Sequence, residues 1–169
     1  IGLVGFPNAG KSTLLNVMSN ATPKIDSYPF TTLVPTVGVI DYPEDFRTLT
    51  MADVPGLIEG AAENRGLGHR FLRHVERCKL LLFLLDLAAI DGRNPCDDFH
   101  HLRKELIEYD IKLGEKPFVV VGNKMDEENA AKYVTEFSQR FPGIELHTIS
   151  ALLGDGLPHL KKKLLESLS

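Results

Sequence analysis

The chain has 169 residues, a formal net charge of −4 at pH 7, and 43% hydrophobic and 25% charged residues, a composition typical of one globular domain. The acidic balance argues against a fold that binds nucleic acid over its whole surface. Two cysteines, Cys78 and Cys96, are too few for a four-ligand zinc site and lack C-x-x-C spacing. The most apolar run, Leu80–Leu85, is far shorter than the ~20 residues that a membrane helix needs.

The start of the sequence and its cysteine content also predict the setting of the protein. Because Ile1 already lies in a predicted strand, we expect residues 1–169 to be a single domain excised from a longer protein. The small number of cysteines and the lack of a signal segment predict reduced thiols and a cytoplasmic location.

The first motif is GFPNAGKS at Gly5–Ser12, which fits G-x-x-x-x-G-K-[ST]. It follows the apolar run Ile1–Val4 and leads into Thr13–Met18, which we predict to be helical. In that context, inward-pointing backbone N–H groups and the positive end of a helix bind phosphates. Lys11 would reach the β- and γ-phosphates, and the Ser12 hydroxyl would ligate Mg²⁺. The alternative is a chance glycine turn before a helix.

The next segments are a predicted loop and a hairpin. Two prolines frame Pro29–Pro35, so regular helix is excluded there. Thr31 or Thr32 could complete the Mg²⁺ shell opposite Ser12, or the pair could simply cap a strand. Val37–Ile40 and Thr48–Ala52 then read as the two strands of a hairpin.

The second hairpin strand runs into the sequence DVPG at 53–56. A carboxylate at a strand end beside the phosphate loop, here Asp53, is expected to hold Mg²⁺ indirectly, through a water molecule bound to the ion. The Gly56 N–H has no side chain beside it and can approach the γ-phosphate. The following residues Leu57–Asn64 lack periodicity, and we expect them to become ordered only when a ligand holds them.

The rest of the chain alternates helices and strands. His69–Cys78 predicts an amphipathic helix whose basic face is either a partner or RNA patch or a solvated surface. The later predicted elements are strand Lys79–Leu87, helix Pro95–Leu113, strand Phe118–Val121, helix Glu127–Phe141, strand Ile144–Ile149 and helix Leu157–Leu168. This order predicts an α/β fold with about six strands, mostly parallel, one antiparallel edge strand and helices on both faces.

The sequence Asn-Lys-Met-Asp at 123–126 predicts which base is bound. The Asp126 carboxylate accepts hydrogen bonds, and guanine offers two adjacent donors at N1 and N2. Adenine lacks the ring donor and would leave the carboxylate unpaired, which costs about 1–3 kcal/mol. Asn123 would brace the loop and meet a base acceptor, the Lys124 stem would lie along the base plane, and a backbone N–H near Ala151 would suit guanine O6. Together these residues predict a guanine nucleotide site.

The sequence resembles the Obg family of GTPases over essentially its whole length. The resemblance rests on the general GTPase motifs and, more specifically, on PFTTLVPTVGVI (29–40), ADVPGLIEGAAENRGLGHRFLRHVERC (52–78) and GNKMD. It implies a P-loop NTPase fold of the Ras-like G-domain type, GTP hydrolysis and a switch whose state depends on the bound nucleotide. It also implies a role in large ribosomal subunit assembly.

The resemblance implies a nucleotide site built from five segments and a Mg²⁺ ion held by Ser12 and Thr32. The implied contacts with GTP or GDP are Gly5, Phe6, Pro7, Asn8, Ala9, Gly10, Lys11, Ser12, Phe30, Thr31, Thr32, Leu33, Val34, Asp53, Val54, Pro55, Gly56, Asn123, Lys124, Met125, Asp126, Ser150, Ala151 and Leu152.

The catalytic groups are less well defined by the sequence. Leu57 stands where Ras-type GTPases have a water-orienting Gln, so hydrolysis by this domain alone should be slow. Lys11, Thr32 and Asn8 are the candidates. The Asn8 carbonyl could ligate K⁺ against the phosphates in place of an arginine finger, or Asn8 could only satisfy the loop backbone.

Two other functions compete with ribosome assembly. A GTPase module of a tRNA-modification system would share the GxPNxGKS loop, but residues 66–78 favour Obg. An ATP-using kinase is disfavoured because the sequence has no HRD-type catalytic loop and because Asp126 suits guanine.

Overall fold

A seven-stranded sheet organises the described part of the chain, residues 1–25, 35–53 and 75–169 of a computed structural model. Its strands are β1 (Gly2–Val4), β2 (Lys24–Ile25), β3 (Thr36–Tyr42), β4 (Arg47–Asp53), β5 (Leu81–Asp86), β6 (Phe118–Asn123) and β7 (Leu146–Thr148). The helices are α1 (Lys11–Met18), α2 (Pro95–Tyr109), α3 (Ile111–Gly114), α4 (Ala130–Arg140) and α5 (Leu157–Ser167), with 3₁₀ turns at Pro7–Ala9 and Pro43–Asp45.

The strand order is β2-β3-β4-β1-β5-β6-β7. β1 pairs in parallel with β4 and β5, and β5, β6 and β7 continue the parallel ladder. β3 is antiparallel to β4 and to β2. The predicted α/β class, with a mostly parallel sheet and an antiparallel strand on one side, is confirmed. The sheet has seven strands rather than about six, because β2 adds a short strand that pairs with β3. Both residues of β2 are exposed, so the sequence shows no alternation of apolar and polar residues there.

The hydrophobic core forms one layer on each face of the sheet. Side chains of β5 alternate between the layers: Phe83 packs with Phe99 of α2 and Phe137 of α4, and Leu82 with Leu14 of α1 and Leu160 of α5. Because both faces are covered, β5 reads as a continuous apolar run, as predicted for a central parallel strand. The phosphate-loop helix α1 therefore packs on the same face as the last helix.

The predicted helix from Pro95 to Leu113 is instead two helices. Asp110 adopts extended φ, ψ angles of −157° and 123°, and its carboxylate accepts a hydrogen bond from the Lys112 N–H as the N-cap of α3. This local bond competes with helix continuation, as is usual for aspartate. The start of α2 follows expectation, since Asp97 and Asp98 lie in its first turn.

Several other predicted bounds shift by a few residues. α1 begins at Lys11 rather than Thr13, α4 begins at Ala130 rather than Glu127, and β7 is shorter than the predicted strand. Of the predicted basic helix, residues 75–77 are helical and Val75 is buried, while residues 69–74 lie outside the described residues. Within the described ranges, no helix combines the length and hydrophobicity needed to cross a membrane.

Candidate functional site

The predicted motifs converge at one edge of the sheet. β1 and β4 to β7 run in the same direction, so their carboxyl ends lie together. The phosphate-loop motif follows β1, Asp53 ends β4, Asn123 ends β6, and residues 150–152 follow β7. This edge is where open α/β sheets bind their ligands.

Two glycines shape the loop between β1 and α1. Gly10 has φ +97°, a left-handed conformation that L side chains rarely adopt, and a Cβ there would collide with Asn123 Nδ2. A Cβ on Gly5 would lie 2.8 Å from the Leu84 carbonyl oxygen of β5. Because α1 starts at Lys11, directly after Gly10, the unpaired N–H groups of its first turn face the loop. The local geometry is that of an anion cradle.

Lys11 is held inside the site. Only 8% of the residue is exposed, and its Nζ lies 3.1 Å from Asp53 Oδ1 at the end of β4. That buried carboxylate oxygen accepts no hydrogen bond from the described residues. The pair therefore places a cation beside the loop, together with an oxygen that still has lone pairs for a ligand.

Asn123 joins three of the motifs through one buried side chain, which is 3% exposed. Its Nδ2 donates to the Ala9 carbonyl oxygen at 2.9 Å. Its Oδ1 accepts from the Ala151 N–H at 3.0 Å and from the Lys124 N–H at 2.8 Å. The sequence predicted that Asn123 braces its own loop. The structure shows that it also connects the phosphate loop to the segment after β7.

Lys124 connects the phosphate loop to the end of β5. Its Nζ donates to the Asn8 carbonyl oxygen at 2.7 Å and lies 3.4 Å from Asp86 Oδ1. The same carboxylate accepts hydrogen bonds from the N–H groups of Ala88 and Ile90, which fixes its orientation. Lys124 has φ +66°, a strained conformation for a residue with a side chain, and these contacts stabilise it.

Two residues that sequence reasoning missed hold the outer side of the phosphate loop. Asn8 Nδ2 donates to both carboxylate oxygens of Asp91, at 2.7 and 2.6 Å. The Arg93 guanidinium stacks 3.7 Å from the centre of the Phe6 ring. Asp86 was also missed, although its position at the end of a central strand matches that of Asp53. Asp91 and Arg93 lie outside the phosphate- and base-binding sequence motifs, so no motif signal points to them.

The structure thus brings together the described residues of four predicted segments. Asp126, Met125 and Leu152 lie at the surface, and Leu152 is 80% exposed. The side chains of Ala151 and Ser150 are buried. The remaining predicted residues, namely Phe30, Thr31, Thr32, Leu33, Val34, Val54, Pro55, Gly56 and Leu57, lie outside the described residues.

A family model described as a 50S ribosome-binding GTPase matches residues 1–124, about three quarters of the chain. The chain belongs to this family. The GTPase Obg of Opitutus terrae is 54% identical over 169 residues, a match that covers 98% of this chain and 49% of the relative. The GTPase Obg of Akkermansia muciniphila is 53% identical over 163 residues, covering 96% of this chain and 46% of the relative. This member of the 50S ribosome-binding GTPase family spans about half the length of these curated relatives.

Solved structures of other proteins share the fold of this family member. A variant of Era from Aquifex aeolicus, bound to GDP·AlF₄⁻, has a TM-score of 0.72 and 27% identity and covers 98% of this chain and 55% of that chain. The G domain of the FeoB iron transporter from T. maritima has a TM-score of 0.70, and the match covers 99% of this chain and 97% of that chain. At 23% identity, this likeness shows the fold alone. The predicted P-loop G-domain fold and the Obg resemblance are confirmed.

Proposed function

We propose that residues 1–169 form one GTP-binding unit that binds GTP or GDP with Mg²⁺, hydrolyses GTP slowly and acts as a nucleotide-controlled switch. The observation that carries this proposal is the Asn123 side chain, which bonds the phosphate loop, the base motif and the segment after β7 at one sheet edge. In the cytoplasm, the switch would serve large ribosomal subunit assembly. Support for that role comes from the family and from its Obg relatives.

The phosphates would lie over the loop between β1 and α1. There Lys11 supplies a positive charge for the β- and γ-phosphates, and the first turn of α1 supplies N–H donors. The base would lie between residues 124–126 and Ala151, whose N–H is already held by Asn123. The contacts predicted from the sequence, including those outside the described residues, are proposed as the full nucleotide site.

The residues present fit a Mg²⁺ ion. Magnesium prefers hard oxygen ligands and keeps several waters. Asp53 Oδ1 pairs with the Lys11 ammonium at 3.1 Å but accepts no hydrogen bond from the described residues, which leaves it able to accept one from a metal-bound water. Ser12, in the first turn of α1, would ligate the ion directly, and Thr32 would complete the shell. The ion would neutralise charge on the phosphates.

Hydrolysis is proposed to be slow because Leu57 occupies the position of the usual water-orienting Gln. A hydrocarbon side chain can neither donate nor accept a hydrogen bond to the attacking water. Lys11, Thr32 and Asn8 remain the proposed contributors to catalysis. The experiment is single-turnover hydrolysis of GTP by the purified chain with Mg²⁺, compared with ATP. No nucleotide binding, or equal use of ATP, would contradict the proposal.

Changing Asp126 to Asn tests base recognition. We expect GTP affinity to fall by about 100-fold, because two hydrogen bonds to a charged acceptor contribute about 1.5–3 kcal/mol each. Affinity for xanthosine triphosphate should rise, since the new amide can donate to the extra carbonyl of xanthine. Titration with fluorescent GTP and XTP analogues measures both. Glu127→Gln, at the neighbouring exposed carboxylate, is the control and should bind GTP normally.

A second prediction concerns a monovalent cation at Asn8. Because Asn8 Nδ2 donates to Asp91, its Oδ1 is the side-chain atom that remains suited to ligate K⁺. We expect GTP turnover to be faster in K⁺ than in Na⁺ at equal ionic strength, and Asn8→Ala to remove the difference. Asn129→Ala is the control, because Asn129 makes no capping hydrogen bond at the start of α4. An equal rate in both salts for the parent chain would exclude the cation.

The ribosomal role is tested separately from nucleotide binding. We expect the full-length protein that contains this chain to co-sediment with the large ribosomal subunit in a manner that depends on GTP or GDP. The competing function, a GTPase module of a tRNA-modification system, predicts no such co-sedimentation. That result would leave the GTPase assignment intact while contradicting the role in assembly.

A further inference from the structure

Three metal-ligating side chains lie together away from the nucleotide site. Glu145 precedes β7, His147 lies within it, and His159 lies in the first turns of α5. Their ligand atoms are all within 4.8 Å of one another. Glu145 Oε2 lies 3.7 Å from His147 Nε2, and the two imidazole rings are 5.7 Å apart between centroids. Among the described residues this is the one such group of three or more.

The group has one fixed member and two adjustable ones. The His147 side chain is 5% exposed, whereas 67% of the Glu145 side chain is exposed, and His159 also lies at the surface. An open cleft of about 190 Å³, lined in part by Val120, Gly143, Glu145 and His147, lies beside it. The cleft gives a hydrated ion a route to His147 and leaves room for water.

We propose that Glu145, His147 and His159 form a Zn²⁺ site, with water from the cleft as the fourth ligand. Two imidazoles and one carboxylate are a common zinc ligand set, whereas Mg²⁺ and Ca²⁺ prefer oxygen ligands only. Tetrahedral ligands at about 2.0–2.1 Å from zinc are about 3.3 Å apart. Glu145 Oε2, now 3.7 Å from His147 Nε2, therefore needs to approach by about 0.4 Å, and no pair of ligand atoms needs to close by more than about 1.5 Å.

Lys163 is the neighbouring group that opposes the ion. It lies one turn after His159 on α5 and also lines the cleft. Its ammonium shares the cleft with His147, so we expect zinc binding to turn this flexible side chain toward solvent. The site consequently binds zinc more weakly than a site without a cation, and Lys163→Gln should tighten it.

Zinc at this position would connect two elements that flank the segment Ile149–Gly156. That segment contains Ser150 and Ala151, and β7 and α5 hold its two ends. Within it, the Ser150 N–H donates to the Asp155 carbonyl oxygen and the Gly154 N–H to that of Ser150. A metal bridge between His147 and His159 would fix the distance between the ends of this loop. The bridge stands independently of the proposed GTPase function.

The test is calorimetric titration of the metal-free, nucleotide-free chain with ZnCl₂, together with thermal unfolding. We expect one zinc per chain and a melting temperature raised by about 5–10 °C at a free zinc concentration 100 times the dissociation constant. Glu145→Gln and His159→Ala should each weaken binding at least about tenfold, since even outer-shell changes cost that much. Excess Mg²⁺ should not displace the zinc. Co²⁺ in place of zinc should show the visible absorption of a four-coordinate site.

The matched control is His101→Ala. His101 Nε2 lies 3.1 Å from Glu105 Oε1 on α2, a histidine–carboxylate pair that belongs to no group of three among the described residues. This variant should bind zinc like the parent. Unchanged affinity in both Glu145→Gln and His159→Ala, or loss of binding in His101→Ala, would mean adventitious surface zinc and would overturn the site. Because Glu145 and His159 are exposed, neither substitution should prevent folding.

Discussion

Replacing Asn123 with alanine is expected to lower the melting temperature by about 6–12 °C and to weaken nucleotide binding at the same time. The substitution removes three hydrogen bonds at a side chain that is 3% exposed. It leaves the Ala9 carbonyl and the N–H groups of Ala151 and Lys124 without their partner, at about 1–3 kcal/mol for each buried group. The low end of these costs, about 3 kcal/mol in total, corresponds to that change in melting temperature for a domain of this size.

Asn123→Asp separates the two directions of hydrogen bonding. The carboxylate still accepts from Ala151 and Lys124, but it cannot donate to the Ala9 carbonyl and places a negative oxygen against it. We expect an intermediate loss of stability and a larger loss of phosphate affinity than of base affinity. Asn129→Ala, at an exposed position without a capping bond, should stay within about 0.5 kcal/mol of the parent. Equal stability of the parent and Asn123→Ala would show that the hydrogen bonds of Asn123 do not contribute to the free energy of unfolding.

Changing Lys11 to alanine should weaken GTP and GDP binding by about 100-fold or more. The ammonium would make charge-assisted hydrogen bonds to two phosphates, each contributing about 1.5–3 kcal/mol. The substitution also leaves Asp53 without its ion-pair partner at 3.1 Å, so the nucleotide-free variant should be less stable than the parent. Equilibrium titration with a fluorescent GDP analogue and thermal unfolding measure the two effects.

A double variant distinguishes the two roles of Lys11. Combining Lys11→Ala with Asp53→Asn removes the unpaired charge, so stability should recover while nucleotide affinity stays low. Lys104→Ala is the control, since Lys104 forms an exposed pair with Glu108 at 3.9 Å on α2 and should change neither quantity. Near-parental affinity in Lys11→Ala would contradict the proposed position of the phosphates.

The sequence was sufficient to predict the structure where the local residue pattern and the tertiary environment favour the same conformation. The apolar run of β5 predicted a strand covered on both faces, and the motif Gly5–Ser12 predicted a loop between a strand and a helix. The convergence of motifs followed from the parallel strand direction alone. These features depend on periodicity and on backbone constraints that a single sequence records.

The rest depends on contacts between residues far apart in the chain. Asp91 and Asn8 are 83 positions apart, and their contact requires the path of residues 87–94, where Ala89 has φ +52° and Gly92 has φ +73°. Nothing in the residue types of that loop indicates its direction. The break at Asp110 was missed because a single capping hydrogen bond outweighs good helical periodicity on both sides. β2 was missed because two exposed residues carry no pattern.

The shared Asn123 side chain has a consequence for the discrimination between nucleotides. One amide holds the ends of what would be the two halves of a ligand site, so the halves stay in fixed register before any ligand arrives. A molecule that fits both halves gains the second contact without a further loss of translational freedom, as in a chelate. Free pyrophosphate or guanosine would gain no such advantage. ATP matches the site only at its phosphates. Its affinity should therefore be close to that of free pyrophosphate and far below that of GTP.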